Sequence, residues 1–154
     1  MPVSLRPVLP DDDGFLYELF CLTVGDELNK LDSAQREMVL RMQFNAQLHG
    51  YTAEFPKADH QIIMLEDQVI GRVLVERTDT EHRGVDIALL PQYRSGGIGT
   101  MLIQGLLDEA REAGKPFRIS VVRTNPALHL YERLGFKTTG ESLTHLMLEW
   151  DQAR

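Results

Sequence analysis

Hydrophobic positions along this chain switch between a period of two and a period of about three and a half, and the switches outline the elements. Residues 3–8 predict a short first strand with alternating exposure, ended by Pro10. Asp11, Asp12 and Asp13 then supply an N-cap and first-turn acids for a helix over residues 12–24. A second helix is expected from Asp32, with Gln35 completing a capping box, to about Leu48. There Gly50 and the Phe55-Pro56 pair interrupt the pattern. Residues 61–65 and 69–75 read as a hairpin turned by Glu66-Asp67-Gln68, and Asp79-Thr80-Glu81 makes the next turn. Val85-Asp86-Ile87-Ala88-Leu89-Leu90 is a further strand. After it, Ile98, Met101, Leu102, Gly105, Leu106 and Ala110 recur at helical spacing. Residues 117–122 predict a buried strand. Next comes a short helix capped by Asn125, with Pro126 in its first turn and Gly135 at its end. Strands over residues 136–139 and 143–150 finish the chain. No repeat, low-complexity tract or linker divides it, so residues 1–154 are expected to form one domain.

Bulk composition narrows the classes of function. At 154 residues the chain is long enough to bury a real core, and 43% hydrophobic with 25% charged residues is ordinary for a globular protein. A formal net charge of −7 argues against a general nucleic-acid binder and is compatible with a cationic amine as substrate. The single cysteine, Cys21, cannot form an internal disulfide and fits a reducing compartment. Its neighbours Phe15, Leu16, Leu19, Phe20 and Leu22 predict a buried structural thiol. No apolar run approaches the roughly 18 residues of a membrane span, and no signal-peptide core opens the chain; the expected setting is cytoplasmic, without a membrane partner. His49, His60, His82, His129 and His145 show no metal-site spacing, so no metal is expected.

The most informative stretch is Arg94-Ser95-Gly96-Gly97-Ile98-Gly99, placed between a strand and a helix. Such a turn gathers several backbone N–H groups, and the helix N-terminus adds partial positive charge. Its glycines let a bulky anion approach without a Cβ in the way, and Arg94 adds a charge-assisted donor. A phosphate-bearing ligand is the leading expectation. The P-loop is excluded because the one Gly-Lys pair, Gly114-Lys115, is followed by Pro116. The dinucleotide fingerprint fails too, since Leu102 stands where its third glycine belongs.

What fits is Arg-x-x-Gly-x-Gly, with Arg94, Gly97 and Gly99 in register. This resembles the acyl-coenzyme A pyrophosphate loop of the GNAT acetyltransferase superfamily. The segment Asn125-Pro126-Ala127-Leu128-His129-Leu130-Tyr131-Glu132-Arg133-Leu134-Gly135-Phe136 is similar to the second cofactor-contacting segment of the same superfamily. The resemblance is close over residues 85–136 and looser over the whole chain. It implies an α/β (α+β) fold of order β-α-α-β-β-β-α-β-α-β-β, with a mixed, mostly antiparallel central sheet flanked by helices. It also implies acetyl-CoA as acyl donor, lying in a V where the strand ending at Leu90 and the strand starting at Phe117 splay apart. Main-chain groups of Ile87, Leu89 and Leu90 would pair with the pantetheine arm like an added strand. Arg94, Ser95, Gly96, Gly97, Ile98, Gly99 and Thr100 would hold the pyrophosphate. Asn125 would bond the pantetheine, although its capping duty explains it equally well.

The implied reaction is acetyl transfer to a primary amine of a small molecule, peptide or protein by direct attack. It needs a neutral amine, a stabilised oxyanion and a proton for the departing thiolate. Tyr131 falls where the superfamily places the acid that protonates the sulfur; a packing role is the alternative. Glu76, Glu81 and Asp86 are open as general base, and Asp86 is the unusual one because it interrupts an apolar strand. Gln43, Gln47, Tyr51, Glu54 and Phe55 are candidates to line the acceptor site, whereas Met38, Met42 and Phe44 are expected in the core. A module that holds acyl-CoA without turnover, or a transferase for a longer acyl group, carries the same motifs. The last strand, with Leu, Met and Trp near the chain end, either pairs or packs across a homodimer or completes the monomer's core.

Overall fold

The computed structural model describes residues 3–24 and 28–152. Its strands are β1 (Val3–Pro7), β2 (Asp59–Leu65), β3 (Gln68–Arg77), β4 (His82–Leu89), β5 (Phe117–Val122), β6 (Lys137–Glu141) and β7 (His145–Trp150). The helices are α1 (Asp13–Val24), α2 (Ser33–Glu54), α3 (Ile98–Ala113) and α4 (Leu128–Arg133). The element order is the expected one. All seven strands form one sheet, ordered β1-β2-β3-β4-β5-β7-β6. Every neighbouring pair is antiparallel except β4 and β5, which α3 connects and which run parallel.

Helices cover both faces, which fits the unbroken burial from Ile70 to Val75 along β3. On one face, Ile63, Val73 and Val75 of the sheet pack with Ile103, Leu106 and Leu107 of α3 and with Tyr131 of α4. On the other, Ile62 packs with Leu16 of α1 and Phe44 of α2. The Phe44 ring meets Tyr17 edge-on at 5.5 Å between centroids.

Several expectations are corrected. α2 does not stop near Leu48 but continues through Gly50 to Glu54. A helical glycine costs about 1 kcal/mol, which the packing of Leu48 offsets. The helix ends only before Phe55-Pro56, where the proline restricts the residue ahead of it. Asp32 does cap α2, accepting from the Gln35 N–H at 2.8 Å. Met38 and Met42 are both 66% exposed, because they lie on the side of α2 away from Phe44. Cys21 is half-buried rather than enclosed. β1 does not alternate cleanly, since Arg6 turns inward to a bidentate pair with Asp12 at 2.8 Å on each bond. That contact, working against burial, lowers the Asp12 carboxyl to about 2, and Asp12 also caps the Leu9 N–H. β7 lies between β5 and β6, so both of its edges are used within the chain and it has no free edge for a partner strand.

Gly71 marks a close approach of β3 and β4. A Cβ there would sit 2.2 Å from the Ala88 carbonyl oxygen, which is backbone and cannot turn aside. Gly71→Ala is therefore expected to destabilise the fold by about 1–3 kcal/mol, read as a lower urea midpoint with an unchanged slope.

Candidate active site between β4 and β5

The parallel pairing of β4 with β5 is short, running only from His82 opposite Phe117 to Gly84 opposite Ile119. Beyond it the two strands no longer bond each other, and an opening begins. A β-bulge sits at the same place: Leu74 pairs with Asp86 but Val75 pairs with Gly84, which leaves Val85 extra on β4. Bulges turn a strand and re-aim its side chains. Here the result is that Gly84 faces the α3 side while Asp86 faces the α1 and α2 side.

The main chain of β4 is not equally available along the opening. The Leu90 N–H donates to the Ile70 carbonyl at 2.8 Å, and the Leu90 carbonyl accepts from the Tyr93 N–H at 3.0 Å. Antiparallel ladders alternate direction residue by residue, so Ile87 and Leu89 present their main chains toward the opening instead. The Leu89 carbonyl takes a hydrogen bond from Arg94 Nε at 3.0 Å. Of the three residues expected along the pantetheine, Ile87 and Leu89 face the gap, whereas Leu90 is engaged within the chain.

At the C-terminal end of β4 the glycine turn feeds α3. Ser95 and Gly97 both adopt the left-handed conformation, with φ of 64° and 88°. Gly97 is the N-cap of α3 and has no side chain to bond the first turn. The first N–H groups of a helix lack upstream carbonyls, so those of Ile98, Gly99 and Thr100 are directed outward beside Arg94 and Gly96. A Cβ on Gly96 or Gly97 would meet no atom within 4 Å, so the space over the turn is open.

Past the end of β5 lies α4, which begins two residues later than expected. Asn125 Oδ1 accepts from the Ala127 N–H at 2.8 Å, capping the turn that leads into the helix rather than the helix itself. Gly135, with φ of 100°, closes the helix as foreseen, and the Phe136 N–H returns to the Tyr131 carbonyl at 3.0 Å. Tyr131 is 9% exposed, and its ring meets Phe136 edge-on at 5.4 Å. Its hydroxyl makes no hydrogen bond to any described residue. Burial, and then the charge of Asp86, raise its pKa above the ordinary tyrosine value, so it is protonated at neutral pH.

Asp86 itself opens on a pocket of about 200 Å³ between the sheet and the first two helices. Its Oδ2 accepts from Arg72 Nη2 of β3 and from the Tyr51 hydroxyl of α2 at 3.2 Å. Arg72 is 4% exposed, and Nη2 also donates to Gln47 Oε1 at 2.9 Å. Burial, followed by the nearby Asp86 charge, pushes the Tyr51 phenol well up and keeps it a donor. Gln47 and Tyr51 line this pocket, while Gln43, Glu54 and Phe55 do not.

The three candidate bases separate by position. Glu81 is held by Arg83 and Arg118, each at 2.7 Å. Burial works upward on it, but those two partners bring its pKa below the usual value. Glu76 pairs in register with Arg83, two residues along β3 from the row of Leu74 and Asp86. Only Asp86 lines the pocket. Arg72 went unnoticed in the sequence, although a signal existed: it interrupts the apolar run Val69 to Val75 just as Asp86 interrupts its own strand. Opposite charges breaking adjacent strands are a reason to look for a pair.

A family model described as an acetyltransferase (GNAT) domain matches residues 57–138. Among curated proteins, an N-alpha-acetyltransferase of Sulfurisphaera tokodaii is 41% identical over 56 residues, covering 34% of this chain and 34% of that protein. The [Ribosomal protein bS18]-alanine N-acetyltransferase of Haemophilus influenzae is 32% identical over 71 residues, covering 46% of this chain and 49% of that protein. The chain therefore spans between a third and a half of the curated relatives it matches. Among solved structures, the PaiA N-acetyltransferase of Thermoplasma acidophilum, in complex with coenzyme A, superposes with a TM-score of 0.73. That match is 16% identical and covers 98% of this chain and 99% of the other, which is a likeness of fold. No helix among the described residues is long and apolar enough to cross a membrane. With the strand order, the parted β4 and β5, the left-handed glycine turn and the matched family model together, the chain belongs to the GNAT acetyltransferase family.

Proposed function

We propose that this protein transfers the acetyl group of acetyl-CoA to a primary amine of a small molecule, peptide or protein by direct attack. The observation that carries this reading is the left-handed glycine turn into α3 beside the point where β4 and β5 part. Tyr131 of α4 is the candidate acid and Asp86 of β4 the candidate base, and burial and then the Asp86 charge raise the Tyr131 phenol. The residues present fit the donor. The N–H groups from Ser95 to Thr100, with Arg94, form an anion-binding turn for the pyrophosphate. Ile87 and Leu89 offer main-chain groups to the amides of the pantetheine arm, and the Asn125 side-chain NH2 has no partner among the described residues.

The amine donates to Asp86 Oδ1, the oxygen not used by Arg72 or Tyr51. Its nitrogen attacks the thioester carbonyl, the C–S bond breaks, and the nitrogen passes a proton to Asp86 Oδ1, which releases it to solvent. Tyr131 donates its phenolic proton to the departing sulfur and is reprotonated from solvent. A cytoplasmic setting fits the lone cysteine.

Tyr131→Phe tests the reading. It is expected to lower kcat by about 100-fold or more, the usual contribution of a general acid, with acetyl-CoA affinity nearly unchanged. The alkaline limb of the wild-type kcat profile should lie above the ordinary tyrosine value of about 10. An unaltered rate in the variant would return Tyr131 to a packing role.

A further inference from the structure

We infer that His60 is a positioning residue for Asp86: as a neutral imidazole it holds Arg72 on that carboxylate, and on gaining a proton it releases the hold. This rests on the transferase reading above, in which Asp86 receives the amine, and names what controls that group. His60 lies on β2 next but one to Ile62, so its side chain shares the sheet face that α1 and α2 cover. It pairs across the ladder with Leu74, which pairs in turn with Asp86, while Ile62 pairs with Arg72. Arg72 is therefore the diagonal neighbour of His60, a separation that a long side chain spans. Each of the two keeps one enclosed atom without a partner among the described residues, Nη1 of Arg72 and Nε2 of His60. These atoms are complementary. A guanidinium only donates, and Nε2 of a neutral imidazole accepts when the ring proton is on Nδ1. One water that accepts from Nη1 and donates to Nε2 satisfies both. Nη2 is then kept on Asp86 Oδ2 and Gln47 Oε1, which leaves Asp86 Oδ1 to the amine.

Protonation reverses this arrangement. An imidazolium turns an N–H toward a cation that also only donates, so the contact becomes repulsion. The charged groups acting on His60 are Arg72 of β3, Asp86 of β4, Asp59 beside it on β2 and Asp12 ahead of α1. Each of those carboxylates already has an arginine: Asp86 has Arg72, Asp59 has Arg77 at 3.4 Å, and Asp12 has Arg6 at 2.8 Å. A charged ring would have to share a counter-ion already in use. Burial, and then the Arg72 charge, lower the His60 pKa below the ordinary imidazole value, so the ring is neutral at neutral pH and charges only on acidification. A cation added near Asp86 also makes that carboxylate a weaker proton acceptor.

The test measures kcat against pH by thiol release from saturating acetyl-CoA, with n-butylamine, putrescine and a short peptide as acceptors. Nitrogen NMR of the coenzyme A complex follows the His60 ring in parallel. Wild-type turnover should step down below the ordinary imidazole value of about pH 6.5, together with titration of the ring. His60→Gln keeps an acceptor but cannot titrate, so it should lack the step and retain most of the rate above it. His60→Leu has no acceptor and should lose about tenfold in kcat above the step, as expected for a hydrogen bond to a charged group, with acetyl-CoA affinity unchanged. The ring proton should be on Nδ1, and Arg72→Met should raise the pH at which the ring titrates. A step that persists in His60→Gln, or a His60→Leu rate equal to that of the wild type, overturns the inference and leaves the transferase reading intact. Should none of the three acceptors release thiol, the transferase reading falls and the ring decides alone. A titration unmoved in Arg72→Met then overturns the inference, and a raised one supports the hold of His60 on Arg72.

Discussion

Gly97→Glu is expected to abolish binding of acetyl-CoA while the protein still folds. Gly97 has a φ of 88°, and a residue with a Cβ there is strained by about 1–2 kcal/mol. No atom lies within 4 Å of the position a Cβ would take, so the new side chain meets open space rather than the core. The damage falls on the ligand. A carboxylate at the N-cap of α3 sits where the helix N-terminus attracts negative charge, and it both satisfies the outward N–H groups and repels a pyrophosphate. Calorimetric titration with acetyl-CoA, with free coenzyme A and ATP as comparisons, reads the result. Gly97→Ala introduces the strain without the charge; that strain falls on the fold, so it should lower stability by about 1–2 kcal/mol and leave acetyl-CoA binding largely intact. Micromolar binding retained in Gly97→Glu would take the pyrophosphate away from this turn.

Asp86→Ala is expected to cost about 3–5 kcal/mol of stability, because it leaves the Arg72 guanidinium buried without its counter-charge. It should also remove most turnover, since the amine loses the oxygen that receives it. These two effects have different origins and can be separated. In the double variant Arg72→Met with Asp86→Ala the unpaired charge is gone, so the urea midpoint should recover much of the loss while turnover stays low. Recovery of both together would mean that Asp86 serves the fold alone. The Tyr51 hydroxyl also loses its acceptor in the single variant, which adds to the destabilisation.

The element order, the glycine turn into α3 and the C-terminal stop of α4 were legible in the sequence because each is decided within a few residues. Gly97 and Gly135 take left-handed conformations that the neighbouring pattern announces, and the buried positions of α3 and β5 follow their own periods. Local rules also misplaced particular residues. Met38 and Met42 are apolar but lie on the wrong side of α2, and Gly50 does not break a helix that packing sustains. Asn125 has the chemistry of a cap but applies it one turn earlier.

The chemistry of the site belongs to contacts between distant segments. Asp86 was visible as an oddity, yet its partners are Arg72 on the neighbouring strand and Tyr51 on α2. Which carboxylate reaches the opening was decided by the bulge at Val85, a two-against-one count between strands that neither strand encodes alone. Leu90 could be told from Ile87 and Leu89 only once the ladder with Ile70 fixed the direction of each main-chain group. The sequence by itself therefore determined the elements, their order and the glycine turn into α3, since short-range sterics and hydrophobic period set those. Only the tertiary structure decided which charges meet, because strand register and helix packing bring together residues that are far apart along the chain.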